Sequence, residues 1–302
     1  MTPSRVRMAK LLGRLYPFLS GRNRAAHNPL ARLAMGDWHG EVGLDWAKLT
    51  NGREALVPVD DYMGRTICLT GDIDRKISSI FERVVRPGDH VLDIGANMGI
   101  FTTHLANLVG ASGVVHSFEP NPSMLELLQQ TIARNDLKNI RLHTFALGNE
   151  ECTLELAFPS HGLGKATLTS DRAREDWNRV SVPVRPLASV ADEFDFSHVR
   201  LLKIDVEGFE APVFEGGRRW LEATPPAAVV FESNGRREDG EPDPVPGILA
   251  GLGYQLYTIP KALLKLRLKP YRPTGSGIPA SHDMLALHER RAAELLPRFH
   301  VG

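Results

Sequence analysis

Residues 91–101 read VLDIGANMGIF, a short apolar run that meets an acid, Asp93, and two glycines, Gly95 and Gly99, four apart. Glycines at such a junction let the backbone turn sharply or lie close to a ligand. The stretch therefore reads as a strand-to-helix turn built to hold an adenine-containing cofactor. Later acids stand in comparable positions: Glu119 closes VVHSFE, Asp205 and Glu207 sit two apart in KIDVEGFE, and Glu232 closes AAVVFE. Ala146, after IRLHTF, is the fifth such strand end.

The spacing discriminates between cofactors. A dinucleotide fingerprint wants G-x-G-x-x-G, but Asn97 occupies the second glycine position and no third glycine follows. Asparagine tolerates left-handed backbone, so the tight turn survives while a pyrophosphate loses its seat. No Walker G-K-S/T sequence is present either. S-adenosylmethionine carries an ammonium, a carboxylate and a sulfonium but no phosphate. Asp93 suits its amino-acid portion, directly or through water, with Gly95 and Gly99 keeping side chains out of the way. The two oxygens of Glu119 match two ribose hydroxyls. NAD enzymes use a similar acid, so the distinction rests on Asp93 and the missing glycine.

Methyl transfer is an in-line displacement at a sulfonium carbon, and much of the catalysis is alignment and exclusion of water. An alcohol acceptor holds its proton with a pKa near that of water, ~16, so a base or a metal is expected. Asp205 is the first choice for base or acceptor orienter, Glu207 the second, and Glu232 the third carboxylate able to converge there. Structural roles compete: Glu207 as a cap of the next helix or a partner of Lys203 or an arginine, and Glu232 as an acceptor for a backbone amide of 233–244. Asp74 lies just before a helical pattern and suits either a cofactor contact or an N-cap. His282 and Asp283 are further base candidates with a surface turn as the plainer role. His104, His116 and His143 lie inside elements, either partnered or exposed. Paired carboxylates also suit Mg²⁺, though nothing in the spacing requires it, and no His/Cys metal pattern occurs.

Strand-like and helix-like segments alternate from about residue 75. DRKISSIFERVV, MGIFTTHLANLV, PSMLELLQQTIARN and APVFEGGRRWLEA have helical spacing, with Asn121 or Ser123 as N-cap of the third. HVLDI, VVHSF, IRLHTF, CTLELAF, VRLLKIDV, AAVVFES, GYQLYTI and DMLALHE read as strands, and a short helix is expected near ASVADEF. Such alternation predicts an α/β fold, a doubly wound, mainly parallel sheet of about seven strands, with ligands beyond the carboxyl ends of the strands. Residues 159–180 read as a polar loop or lid.

DIGANMGIFT, SFEPNP and LLKIDVEGFE together resemble the three signature segments of FkbM-type methyltransferases, over about Gly71 to Ser233. The resemblance implies the Rossmann-like class I methyltransferase fold, S-adenosyl-L-methionine as cofactor, and O-methylation of hydroxyls, often on sugars. Carried over residue by residue, it places Asp93, Gly95, Ala96, Asn97, Gly99, Glu119, Pro120 and Asn121 along the cofactor. Ala146 and Leu147 would flank the adenine, and Asp205 would lie near the reactive methyl. Asp74 resembles an acid many members carry ahead of the first core helix.

The 302 residues, 42% apolar and 24% charged, suit a globular protein with a real core. Lys+Arg and Asp+Glu balance at 36 each, which gives no field for nucleic acid. Two distant cysteines suit a reduced, cytoplasmic setting. Residues 1–36 carry seven Lys/Arg and no acid, with Leu11, Leu12, Leu15 and Phe18 at helical spacing. This segment and KALLKLRLKPYR could form a basic patch for a membrane surface, a lipid-linked glycan or an anionic substrate; packing on the domain is the plainer role. The expected organisation is an N-terminal extension over 1–60 and a methyltransferase domain over 61–302. The expected partner is a small-molecule or glycan acceptor. N-methylation of a peptide or small amine and a non-catalytic cofactor-binding module are the alternatives.

Overall fold

The computed structural model describes residues 43–59, 61–159, 166–169, 173–233, 235–236, 240–260, 266–273 and 282–302. The basic amphipathic segment expected near the N-terminus lies outside them, as do parts of 159–180, of 233–247 and of the second basic run.

Strands β1 (Leu44–Lys48) and β2 (Glu54–Pro58) form an antiparallel hairpin. Helices α1 (Tyr62–Thr70) and α2 (Arg75–Val84) lead into β3 (His90–Ile94), α3 (Ile100–Val109), β4 (Val114–Phe118), α4 (Pro122–Arg134) and β5 (Ile140–His143). Then come β6 (Ala146–Gly148), β7 (Cys152–Phe158), β8 (Asn178–Pro186), α5 (Leu187–Phe194) and β9 (Val199–Ile204). The remainder is α6 (Glu210–Ala223), β10 (Ala228–Glu232), α7 (Val245–Gly251), β11 (Tyr254–Thr258), β12 (Arg267–Tyr271), β13 (Asp283–His288), α8 (Glu289–Leu295) and β14 (His300–Val301).

The main sheet has the order β14-β12-β11-β13-β10-β9-β3-β4-β5. Strands β10, β9, β3, β4 and β5 are mutually parallel, and β13 enters antiparallel between β10 and β11. The central strands are apolar on both faces, and their residues divide by the period of two. Leu92, Leu202 and Val229 pack towards α5, α6 and α7, whereas Val91, Leu201 and Val230 pack towards α2, α3 and α8. The chain winds outward from β3 through β4 to β5, then returns to β9 on the other side of β3. The switch point, and so the expected crevice, lies between β3 and β9.

Three features exceed the expectation of about seven strands. Strand β12 lies in the basic run between β14 and β11, where Leu268 alone is buried, so no alternation marked it. Strand β14 has two residues. Strands β6, β8 and β7 form a separate three-stranded sheet, so Ala146 opens a strand of this side sheet and does not end one of the main sheet. The hairpin β1–β2 shares an apolar cluster with Ile67, Met98, Ile100, Met124 and Leu127.

Candidate active site

Sheet register assembles the site. Ile94 pairs with both Phe118 and Ile204, and Ile204 pairs with Phe231. The residues that follow these partners therefore line one edge in the order Glu119, Gly95, Asp205, with Glu232 beside them. Strand β13 runs the other way and sets Asp283 opposite Glu232.

The turn after β3 is held by backbone. The N–H groups of Gly95 and Ala96 both donate to the Phe118 carbonyl at 3.0 Å. Asn97 adopts φ +53°, and Gly95 and Gly99 adopt +77° and +86°. Asparagine thus takes the left-handed position that its tolerance for that region allows. The glycines are also required by the protein's own packing. A Cβ on Gly95 would fall 1.9 Å from the Asp205 carbonyl oxygen, and one on Gly99 would fall 2.2 Å from Leu128 Cδ1. The space they leave is filled by the protein's own packing, which locks β3 against β9 and α3 against α4.

Glu119 receives the Asn97 N–H on Oε2 at 2.7 Å and the Asn121 N–H on Oε1 at 2.9 Å. Burial pushes its carboxyl up to about 7, opposed by those two N–H groups and by Lys203. Each carboxylate oxygen can accept a second hydrogen bond, so two hydroxyls remain within its capacity. Asn121 caps α4 through Ser123 N, Pro122 follows at the first helical position, and Pro120 is half-buried between Glu119 and the cap. The Asn121 Nδ2 group is buried and makes no hydrogen bond in the structure.

Asp93, expected to meet the amino-acid portion of the cofactor directly or through water, is enclosed, with no exposed surface. Its Oδ2 accepts from Thr102 Oγ1 at 2.6 Å, and its Oδ1 lies 3.3 Å from Lys203 Nζ. It sits one residue before the strand end, and it braces the turn from beneath. The spacing gave no sign of Lys203, because the pairing depends on β3 and β9 being neighbours.

Asp205 follows β9, and its N–H donates to the Ile94 carbonyl at 3.1 Å. It is half-buried, as is Glu207, whereas Glu232 is exposed. Glu207 takes φ +52°, a conformation costing ~1–3 kcal/mol for a residue with a side chain. Glu210, not Glu207, caps this loop: its Oε1 accepts from the N–H groups of Val206 at 3.0 Å and Gly208 at 3.3 Å. The Glu207 carbonyl accepts from Thr167 Oγ1 at 3.1 Å. Lys203 pairs with Asp93, not with Glu207.

Asp74 caps α2 by accepting from Lys76 N at 2.8 Å. Lys76 also forms ion pairs with Asp74 and Asp283, so Asp283 is engaged at the sheet edge. His282 contributes its carbonyl to Ser233 N. Ala146 and Leu147 are buried in the side sheet; Leu147 reaches the main core, and neighbouring Phe145 lies under the Arg185 guanidinium. His116 and His143 are buried, 3.2 Å apart at Nδ1 and Nε2, and burial lowers both to about 4. Among the described residues, no group of three or more His, Cys, Asp or Glu side chains is placed to hold a metal ion.

A mainly parallel sheet with its switch point at a glycine turn is the frame of a Rossmann-like methyltransferase domain. The chain belongs to the FkbM family: the model of the methyltransferase FkbM domain matches residues 93–256. Methyltransferase 1 of Beauveria bassiana is 27% identical over 143 residues, which cover 42% of this chain and 57% of that protein. Methyltransferase FkbM of Methylobacillus flagellatus shares 17% identity at a TM-score of 0.43, over 74% of this chain and 52% of that one. Fibrillarin of Aeropyrum pernix, solved with natively bound S-adenosyl-L-methionine, shares 15% identity at a TM-score of 0.39, over 81% and 94%. The chain thus spans little more than half the length of the first two.

Proposed function

We propose that the protein transfers a methyl group from S-adenosylmethionine to a hydroxyl of a sugar-bearing acceptor. The supporting observation is the single edge that aligns Glu119, Gly95, Asp205 and Glu232 at the switch point of the sheet. S-adenosylmethionine, when bound, supplies an electrophilic methyl group. Glu119 would hold the ribose hydroxyls, and the turn Gly95–Gly99 with Pro120 and Asn121 would border the cofactor, Asp93 acting through the turn it braces. Ala146 and Leu147 would reach the adenine through the packing of the side sheet.

Asp205 would accept the hydroxyl proton of the acceptor as the oxygen attacks, and Glu207, held in its left-handed conformation, would orient that hydroxyl. Glu232 extends the carboxylate row towards solvent, where an acceptor enters. That same row also favours a cationic amine, which is the specific ground for N-methylation as a second reading. An amine carries its own lone pair once deprotonated and needs less help from a base.

The test is incubation with methyl-labelled S-adenosylmethionine and parallel panels of sugar and amine acceptors. Labelling of a sugar, with Asp205→Asn lowering kcat by about 10²-fold or more, is the expected outcome. Labelling confined to amines, with only a mild effect of Asp205→Asn, would replace the hydroxyl reading.

A further inference from the structure

Lys203 is 4% exposed and stands one residue before the end of β9. A buried ammonium is costly unless paired, and Asp93 at 3.3 Å supplies a partner. The lysine does more than this pairing requires. Its Nζ donates to the carbonyl of Gly95 at 2.7 Å and lies 3.4 Å from that of Ile94, while the Phe101 ring sits 5.7 Å away. The two carbonyls belong to the cofactor turn itself. The other oxygen of Asp93 holds Thr102 in the first turn of α3, so one ion pair ties both flanks of the turn together. Burial pulls the ammonium down, but the carboxylates of Asp93 and Asp205 outweigh it and the pKa ends above the usual lysine value. One fixed cation therefore stands among the carboxylates of Asp93, Glu119 and Asp205.

We propose that Lys203 is a positioning residue of the cofactor site, which pins the Gly95 carbonyl and offsets the surrounding carboxylates so that the cationic methyl donor is not held far more tightly than its neutral product. The inference rests on the cofactor reading above. A donor with a sulfonium gains from every nearby carboxylate, and a product with a plain thioether does not. An unbalanced acidic site would therefore favour the charged ligand, and Lys203 limits that preference from within the fold.

The test is calorimetric titration of the full chain with S-adenosylhomocysteine, neutral at sulfur, and with sinefungin, which carries an amine in place of the methylated sulfonium. In Lys203→Met the affinity ratio of sinefungin to S-adenosylhomocysteine should rise by about fivefold or more, the direction given by loss of a like charge at short range. Lys203→Arg should keep the ratio within about twofold, and Lys203→Met/Asp93→Asn should return it towards the wild-type value. Asp93→Asn alone should lower the ratio, which carries the test if Lys203→Met does not fold. Equal weakening of both ligands in Lys203→Met, or an unchanged ratio in Asp93→Asn, would reduce the residue to a structural role and overturn the proposal. A wild-type protein that binds neither ligand would refute the cofactor reading and this inference with it. A ratio changed in the wrong direction would refute this inference alone.

Discussion

Arg200 stands second in strand β9 and Lys203 second from its end, and the two ends of that strand use charge differently. At the amino edge, Glu294 gathers Arg86, Arg200, Arg291 and Arg298 within 4 Å or less. Arg200 and Arg298 also donate to the carbonyls of Val84 and Arg83 at the end of α2. These charges are fastenings: cations at a helix C-terminus and an ion-pair network holding α8 to the sheet. At the carboxyl edge, carboxylates outnumber cations, the backbone turns left-handed at Gly95, Asn97, Gly99 and Glu207, and Glu119 is buried against its own charge. Left-handed backbone alone does not separate the two ends, since Asp136 and Asp195 adopt φ +50° and +53° ahead of β5 and β9; the difference lies in the charge, paired at one end and left as a row of acids at the other.

Substitutions can break this contrast. The largest effect is expected for Gly95→Ala, whose methyl would strike the Asp205 carbonyl at 1.9 Å in a left-handed backbone. We expect a loss of more than about 3 kcal/mol of stability, read by denaturant unfolding, together with loss of S-adenosylhomocysteine binding.

Glu119 gives a pH signature. Its folded pKa of about 7 exceeds the ordinary glutamate value of 4.5, so between those values the native state binds more protons than the unfolded one. Stability of the cofactor-free protein should therefore fall as pH rises from about 4.5 to about 7, by up to ~3 kcal/mol from this group. His116 and His143, lowered to about 4, contribute the opposite slope between about 4 and 6.5. The difference between wild type and Glu119→Gln isolates the glutamate, and a difference that is flat with pH would contradict its burial as a strained acid.

At the other edge, Glu294→Gln should cost about 1–2 kcal/mol, discounted for partial exposure, and leave S-adenosylhomocysteine affinity unchanged. A binding defect would erase the division between the two edges. The smallest effect is expected for Glu207→Gly. Relief of the left-handed backbone should raise stability by about 0.5–1 kcal/mol, seen as a higher Tm, while methyl transfer falls because the orienting carboxylate is gone.

Much of this was legible where the signal is local. The glycine turn, the acids that follow the strands, and helices α2, α3, α4 and α6 each declare themselves within a dozen residues by spacing, caps and flanking turns. The contacts that the sequence hides depend on which strands are neighbours. That Gly95 also admits the Asp205 carbonyl is hidden from the sequence, because that carbonyl is more than a hundred residues away. The burial of Asp93 is equally hidden, because Lys203 and Thr102, which enclose it, come from β9 and α3. Glu207 and Glu210 are both acids near a helix start, and only the left-handed turn decides that the second is the cap. Strand β12 was hidden because a strand with one buried residue has no period to show.

The central claim is that the carboxyl edge between β4, β3 and β9 is the cofactor site. Calorimetric titration of the full chain with S-adenosylhomocysteine, alongside Glu119→Ala, tests it most directly. The account predicts saturable one-to-one binding by the wild type that weakens at least about tenfold, ~1.4 kcal/mol, in the variant. Equal affinity in both proteins, or no binding by a folded wild type, would contradict it.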